Sequence, residues 1–311
     1  MEVTKKVNQL SPSMEVIINA SSGAVDRDHT RRVLETNFEA SDVKARFYIA
    51  ETGAQLLELA GMVAEGNAET VVACGGDGTV SAVASMLVGR NKKLGVLPLG
   101  TLNHFAKDLR IPLDLQQASR TIIEGHTILI DVAEVNKRIF INNSSLGLYP
   151  SLVRHREIKQ RLGHGKWPAF LWAGISVLRR YPFVHVRLNA DGHGFETRTP
   201  FVFIGNNEYQ MESFNIGSRG RLDSGQLSLY VTPRTGRLAL IKLALRALFK
   251  RLRESRDFVA ISTNELWVET RRSGVRIAVD GEIAVMQSPL HYRVIPLALR
   301  VIVPEDVQPE Q

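Results

Sequence analysis

A glycine-rich loop with one carboxylate inside it stands at the end of an apolar run. Residues 71–73 are apolar, and they are followed directly by Cys74, Gly75, Gly76, Asp77, Gly78 and Thr79. Glycines leave backbone N–H groups bare, so that these groups can close around an anion such as a phosphate. The Asp77 carboxylate could meet a metal ion or a ribose hydroxyl, and a helix starting at Thr79 would add a favourable dipole. These residue types predict a nucleotide site, with a tight turn that binds no ligand as the alternative.

A second glycine loop follows the next apolar run, at residues 94–97. Pro98 ends that run, Gly100 permits a close backbone turn, and Thr101 can cap the helix that follows. Ligands of a doubly wound sheet gather beyond the carboxyl ends of its strands, so both loops are expected at one edge. Neither loop has the P-loop pattern or the Gly-x-Gly-x-x-Gly dinucleotide fingerprint, and the mode of phosphate binding must therefore differ from both.

Strand and helix patterns alternate in the part of the chain that carries these loops. Apolar runs predict strands at residues 15–19, 45–49, 70–73 and 94–97, and helical periodicity predicts helices at residues 28–40, 54–65, 79–89, 102–109 and 115–124. This alternation favours a parallel sheet with helices on both faces.

The pattern changes after Gly125 to short strands separated by turns. Strands are predicted at residues 127–136, 138–142, 184–189, 200–204, 227–231, 265–269 and 275–279, with turns at Asn136-Lys137, Asp191-Gly192, Asp223-Ser224-Gly225 and Ser273-Gly274. Helical patterns interrupt the strands at residues 167–180 and 238–253, and the last apolar run, residues 292–303, could return to the first domain. We predict an α/β domain over residues 12–130 with a return at 290–304, and a β-rich domain over residues 131–289.

Composition sets limits on the location and the partners of the protein. The chain has 311 residues, of which 44% are hydrophobic and 23% charged, and a formal net charge of +7. A cytoplasmic protein is expected, because no apolar stretch is long enough for a membrane span and residues 1–13 lack the apolar core of a secretion signal. Cys74 is the single cysteine, which excludes an internal disulfide and favours a buried residue at a strand end. The excess of basic over acidic residues suits an anionic partner.

Five motifs together resemble one protein family. Residues 75–79 with residues 98–106 are similar to the catalytic domain of diacylglycerol kinases, above all to the bacterial lipid kinases of that type. Three further segments match the same family, which are Asp280-Gly281-Glu282, residues 222–227 and residues 19–23. The resemblance implies an N-terminal α/β domain, a C-terminal β-sandwich that receives the lipid, and a nucleotide in the cleft between them.

The resemblance also implies roles for individual residues. The nucleotide would be contacted by Asn19, Gly75, Gly76, Asp77, Gly78, Thr79, Gly100 and Thr101. Glu282 would be the general base that takes the proton from the lipid hydroxyl, and Asp77 would help to hold the nucleotide or its metal. Asp280 would either orient Glu282 or only cap the turn. ATP is the implied phosphoryl donor and Mg²⁺ the implied cofactor, since the transferred phosphoryl group needs its charge neutralised.

The chain departs from the family pattern at four positions. These are Ala20 in place of proline, Ile49 in place of threonine, Ser81 in place of asparagine, and Ser224 in place of aspartate. The last departure lies in the segment that holds a structural Mg²⁺ in bacterial members, and Asp223 stands one position earlier. Arg221, Asp223 and Ser224 are the candidates for this metal, which is bound differently here or not at all.

A lipid kinase must meet its substrate at a bilayer. Residues 235–256 form a basic amphipathic pattern suited to an anionic membrane surface, and residues 167–172 contain two tryptophans. The alternative is that both segments pack on the β-rich domain. We expect ATP and a lipid acceptor as partners, peripheral membrane contact and no nucleic acid, and a homodimer is allowed. Two rival functions remain open, which are a soluble kinase of the NAD kinase type and a non-catalytic binding protein of the same fold.

Overall fold

The chain is divided into two compact units. A computed structural model describes residues 13–20, 26–147, 184–190, 193–212, 215–231 and 259–307. The first unit consists of two segments, the chain up to Leu129 and the chain from Leu299 onward. The second unit is Ile130–Ala298. Strands alternate with helices in the first unit, and the described part of the second unit consists of strands and their connections.

The first unit is a parallel sheet with helices between its strands. Its elements are β1 (Met14–Asn19), α1 (Arg27–Ala40), β2 (Ala45–Ala50), α2 (Gly53–Glu65), β3 (Thr70–Gly75), α3 (Asp77–Leu87), β4 (Lys93–Pro98), α4 (His104–Asp108) and α5 (Leu115–Glu124). The strand order is β2-β1-β3-β4, and all neighbouring pairs in it are parallel. The last strand of the chain, β18 (Leu290–Val303), ends beside β4, with Arg300 opposite Lys93 in a parallel pairing.

Helices cover this sheet in two pairs. All six residues of β3 are buried, which is the expectation for a central parallel strand that is covered on both faces. α2 packs against α3, and α1 packs against α5, where Asn37 Nδ2 donates to Ser119 Oγ at 2.9 Å. The helix starts are set by side-chain caps, because Asp26, Thr52 and Asp114 accept backbone N–H groups of α1, α2 and α5. The predicted α/β fold of this part is confirmed.

Cys74 is buried in β3, as the sequence predicts. Burial raises the pKa of its thiol well above the ordinary range, because the thiolate would be desolvated there. The thiol therefore stays protonated and acts as a small packing group.

The second unit is built from short strands. They are β5 (His126–Val135), β6 (Arg138–Phe140), β7 (Asn143–Gly147), β8 (Val184–Ala190), β9 (His193–Thr199), β10 (Phe201–Asn206), β11 (Tyr209–Glu212), β12 (Asn215–Arg219), β13 (Leu227–Val231), β14 (Val259–Thr263), β15 (Glu265–Thr270), β16 (Gly274–Val279), β17 (Glu282–Gln287) and the first part of β18. No helix in the described ranges is long and apolar enough to cross a membrane.

Two antiparallel sheets share one core in this unit. One sheet has the order β14-β13-β10-β7-β16-β17, and the other contains β9-β8-β15-β18 with β5 beside β18 and β6. The buried core takes side chains from both sheets, among them Leu146, Ile204, Leu229 and Ile277 from the first and Leu188, Leu266, Val268 and Tyr292 from the second. The predicted β-sandwich is confirmed.

The prediction of strands in the second unit was incomplete. The structure adds β7, β9, β11, β12, β14 and β17 to the predicted strands. The predicted hairpin is confirmed, with φ values of 47° at Asn136 and 70° at Lys137 in its turn. The predicted end of β4 at Leu97 is one residue too early. Pro98 is the last residue of the strand and pairs with Gly75. The predicted helices at 167–180 and 238–253 and the turn at Asp191-Gly192 lie outside the described residues.

Candidate active site

The two glycine loops of the first unit lie side by side. β3 ends at Gly75 and β4 ends at Pro98, and the two strands are parallel neighbours. The N–H of Leu99 donates to the carbonyl oxygen of Gly75 at 2.9 Å, so the loops leave the sheet together. The sequence argument that both loops belong to one sheet edge is therefore confirmed.

Close packing at the loops explains three of their glycines. A Cβ atom on Gly100 would lie 2.5 Å from Gly76 Cα, and one on Gly76 would lie 3.3 Å from Gly100 Cα. A Cβ atom on Gly75 would lie 2.4 Å from Thr79 Oγ1. Gly78 differs, since nothing stands within 4 Å of a Cβ atom built there. Packing therefore requires glycine at Gly75 and Gly100 and leaves little room for a side chain at Gly76, and the backbone at Gly78 is open to an approaching group.

Asn103 holds the second loop in shape. Its Oδ1 accepts the N–H of Gly100 at 3.0 Å, and its Nδ2 donates to the carbonyl oxygen of Gly100 at 2.9 Å. The residue is buried and has a φ of 50°, in the left-handed region that asparagine tolerates. Sequence reasoning did not assign Asn103 to the site, although an asparagine three residues after a loop glycine is a recognisable signal.

Asp77 connects the two loops. Its Oδ1 accepts the N–H of Phe105, in the first turn of α4, at 3.1 Å. The prediction that Thr101 caps α4 is wrong. The residue directly before α4 is Asn103, and Thr101 is exposed. The carboxylate of Asp77 replaces it because the loops touch and bring α3 and α4 together. Asp77 Oδ2 has no hydrogen-bond partner among the described residues, so it is left for a ligand or a metal ion.

Asn19 and Thr79 meet beneath the first loop. Asn19 Nδ2 donates to Thr79 Oγ1 at 2.8 Å, and Thr79 is 3% exposed. The helix α3 begins at Asp77, two residues earlier than predicted, and its N-cap residue, Gly76, makes no side-chain cap hydrogen bond. The start of α3 carries the positive end of the helix dipole.

The Asp-Gly-Glu motif of the second unit forms a two-residue hairpin turn. Val279 pairs with Glu282, and Asp280 and Gly281 between them have φ values of 46° and 84°. Positive φ at both central positions is typical of a type I′ turn, for which Asp-Gly is a preferred sequence. The turn places Glu282 at the first position of β17.

Asp280 anchors this turn to the chain after β6. Its carboxylate accepts three backbone N–H groups, those of Ile141 at 2.9 Å, Asn142 at 2.9 Å and Asn143 at 3.0 Å. In return, the N–H of Asp280 donates to the carbonyl oxygen of Asn143 at 2.9 Å. Asp280 therefore does more than cap its own turn, since it fixes the backbone next to Glu282.

Glu282 itself is largely exposed. Its side chain is 63% exposed, and Oε2 accepts a hydrogen bond from Arg138 Nη2 at 2.6 Å. An exposed carboxylate at the start of a hairpin strand can reach a bound substrate, which is the first requirement for a general base.

The candidate metal residues lie together but engage each other and their neighbours. Arg221 Nε donates to Asp223 Oδ1 at 3.1 Å, and Ser224 donates to Asn207 Oδ1 through its N–H at 2.9 Å and its hydroxyl at 2.5 Å. Within the described residues, no three His, Cys, Asp or Glu side chains are grouped to hold a metal ion. Asp223 and Ser224 supply one carboxylate and one hydroxyl beside a guanidinium, and water would have to complete a Mg²⁺ shell there. The metal role of these three residues stays a prediction.

A buried aspartate next to this turn was missed by the sequence reasoning. Asp131 is fully buried in β5, and its carboxylate accepts the N–H of Gly225 at 2.6 Å and the N–H of Leu297 at 2.9 Å. Leu297 has a φ of 48°, so the aspartate supports a bend within β18. An acidic residue directly after the apolar run at residues 128–130 was the available signal.

The fold and these loops define a class of two-domain proteins, with an α/β domain followed by a β-sandwich. The model of the family "Diacylglycerol kinase catalytic domain" matches residues 13–135. The model of "YegS C-terminal NAD kinase beta sandwich-like domain" matches residues 152–303. Residues 13–135 belong to the diacylglycerol kinase catalytic-domain family, as the motif resemblance predicts.

Individual relatives agree with this assignment. A diacylglycerol kinase of Staphylococcus carnosus (strain TM300) is 30% identical over 165 residues, which are 52% of this chain and 54% of the relative. A diacylglycerol kinase of Staphylococcus aureus (strain JH9) is 29% identical over 171 residues, 54% of each chain. The chain spans about half the length of the curated relatives it matches.

Solved structures share the fold over nearly the whole chain. The crystal structure of a diacylglycerol kinase from Bacillus anthracis str. Sterne has a TM-score of 0.70 and 19% identity, and covers 96% of this chain and 98% of its own. A second structure from the same organism has a TM-score of 0.75 and 21% identity. Its match covers 95% of this chain and 99% of its own. At these identities the likeness shows the fold alone.

Proposed function

We propose that the protein is a kinase that transfers the γ-phosphoryl group of ATP to a hydroxyl of diacylglycerol or a related lipid. The observation that carries the proposal is the contact of the two glycine loops around Asp77 at the ends of β3 and β4. Membership of the diacylglycerol kinase catalytic-domain family supports it.

The nucleotide is proposed to bind at the two loops. Support comes from the start of α3 directly after Gly76, from the open backbone at Gly78, and from the uncommitted Oδ2 of Asp77. Backbone N–H groups there would hold phosphate oxygens. Asn19, Gly75, Thr79, Gly100 and Thr101 complete the proposed set. Mg²⁺ bound with ATP, with Asp77 as its protein ligand, would neutralise phosphate charge.

The proposed chemistry is one in-line transfer. The lipid hydroxyl oxygen forms a bond to the γ-phosphorus while the bond from that phosphorus to the β–γ bridging oxygen breaks, and ADP leaves. The hydroxyl proton passes to the Glu282 carboxylate, which acts as general base. The exposed position of Glu282 on the β16–β17 hairpin supports this role.

A panel of acceptors with γ-labelled ATP tests the function. We expect label in diacylglycerol or in one of the other panel lipids, which are phosphatidylglycerol, ceramide and sphingosine, and no label in NAD. NAD belongs in the panel because the second domain matches an NAD kinase-like β-sandwich family. Label in NAD alone would favour the soluble kinase. ATP binding without transfer to any acceptor would favour the non-catalytic alternative.

Peripheral contact with an anionic membrane is proposed with the lipid acceptor. The formal net charge of +7 supports it, whereas the amphipathic segment 235–256 and residues 167–172 lie outside the described residues. We expect sedimentation with phosphatidylglycerol vesicles at low salt, release as salt rises, and weak binding to neutral phosphatidylcholine vesicles. Equal binding to both vesicle types at all salt concentrations would contradict the electrostatic contact. The homodimer and the cytoplasmic location stay predictions.

A further inference from the structure

Arg138 contacts the residue that we propose as general base. Its Nη2 lies 2.6 Å from Glu282 Oε2, and the two side chains are 39% and 63% exposed. The bond engages one carboxylate oxygen, and Oε1 has no partner among the described residues. The guanidinium thus holds Glu282 by one oxygen and leaves the other one for chemistry.

The backbone that carries Arg138 is tied to the far end of β17. Arg138 directly follows the Asn136-Lys137 turn of the β5–β6 hairpin. Asn136 Oδ1 accepts the N–H of His291 at 2.8 Å, and Asn136 Nδ2 donates to the carbonyl oxygen of Gln287 at 3.1 Å. The turn that precedes Arg138 is therefore fixed relative to the strand that starts with Glu282.

The near end of β17 is tied to the same segment of chain. Asp280 binds the three backbone N–H groups that follow β6, at residues 141–143. Arg138 lies between these two attachments, at the start of β6. The hairpin that carries the arginine and the hairpin that carries the glutamate therefore form one frame, in which the Arg138–Glu282 hydrogen bond has a defined geometry.

A contribution to stability does not explain this pair well. Exposed ion pairs typically add little to stability, because water screens the charges and ordering long side chains costs entropy. The position of a reacting group matters far more, since a misplacement of about 1 Å can cost about 10²-fold in rate. The frame around Arg138 is suited to the second task.

We propose that Arg138 is a positioning residue for Glu282, which holds Oε2 so that Oε1 is presented as the proton acceptor. This inference rests on the proposed function, since it concerns the base of that reaction. It predicts that the arginine affects turnover only through Glu282. It also predicts that charge alone is a poor substitute, because lysine lacks the planar guanidinium.

A double-mutant cycle tests the proposal with γ-labelled ATP and diacylglycerol. Arg138→Met is expected to lower kcat by about 10- to 100-fold with little change in KM for ATP. Arg138→Lys should recover part of that loss. In the Glu282→Gln background, Arg138→Met should cause no further loss, because the base it positions is already removed. Arg187→Met is the matched control, since it removes an exposed arginine that pairs with Glu196 in the same unit, and it should keep full turnover.

Two results would overturn the proposal. One is turnover of Arg138→Met within twofold of wild type. The other is an equal fractional loss from Arg138→Met in the Glu282→Gln background, which would show that the arginine acts independently of the glutamate. Failure of the proposed function gives a different result, because Glu282→Gln would then keep wild-type turnover or no acceptor would be labelled. Melting temperatures distinguish a positioning effect from unfolding, and the lysine variant gives a second measurement if the methionine variant does not fold.

Discussion

Replacing Glu282 by glutamine is expected to lower turnover by about 10²- to 10⁴-fold while ATP binding is kept. Glutamine has the same shape and can still accept a hydrogen bond from Arg138, but its amide cannot take a proton from the lipid hydroxyl. The glycine loops proposed to bind ATP lie in the first unit and Glu282 lies in the second, so we expect the mutation to affect turnover and not ATP binding. Steady-state transfer from labelled ATP and calorimetric ATP binding measure the two effects.

Glu269→Gln is the matched control for this experiment. Glu269 is also an exposed glutamate on a strand of the second unit, 54% exposed, and it pairs with Arg187 at 3.6 Å. We expect its replacement to leave turnover unchanged. Wild-type turnover in Glu282→Gln would remove Glu282 from the role of general base, whatever the acceptor lipid.

Gly100→Ala is expected to lower the free energy of unfolding by about 1–3 kcal/mol and to weaken ATP binding. The new methyl carbon would stand 2.5 Å from Gly76 Cα and 2.7 Å from Asn103 Oδ1. The first of these is a backbone atom, so relief requires the two loops to separate. Urea denaturation measures the stability, and calorimetry measures the ATP affinity of the folded variant.

Gly78→Ala provides the comparison within the same site. Among the described residues, nothing beyond its own helix backbone and chain neighbours lies within 4 Å of a Cβ atom at Gly78. The residue is in the first turn of α3, where alanine is favoured over glycine. Its stability should equal or exceed that of the wild type. A loss of ATP affinity in this stable variant would support close approach of the nucleotide to Gly78.

A Gly100→Ala protein as stable as the wild type, with equal ATP affinity, would contradict the importance of the loop contact.

The sequence was most informative where local pattern and topology agree. The helices α1, α2 and α5 were predicted within one residue at each end, because their apolar periodicity is bounded by Asp26, Thr52 and Asp114. The meeting of both glycine loops at one edge also followed from sequence, since parallel strands bring their carboxyl ends together. The hairpin turn at Asn136-Lys137 was a local signal as well.

The missed features depend on contacts between residues far apart in the chain. α4 is capped by Asp77, which lies 28 positions before its partner Phe105, and the prediction of Thr101 considered neighbours only. β7 was overlooked because Ser144 and Ser145 are polar, yet both are fully buried in the sandwich. Asp131 binds Leu297 across 166 positions, and no local pattern records such a bond.

The sequence by itself determined the two domain types and both loops, because these follow from periodicity and from short motifs with special backbone demands. The family followed from motif resemblance, and the role of Glu282 stays a prediction. Only the tertiary structure decided how the candidate residues are held. It gave Asp280 three backbone N–H groups to bind, joined Glu282 to Arg138, and directed Asp77 toward α4. The physical reason is that a side chain's hydrogen-bond partner is set by which distant segments the fold brings within about 3 Å of it.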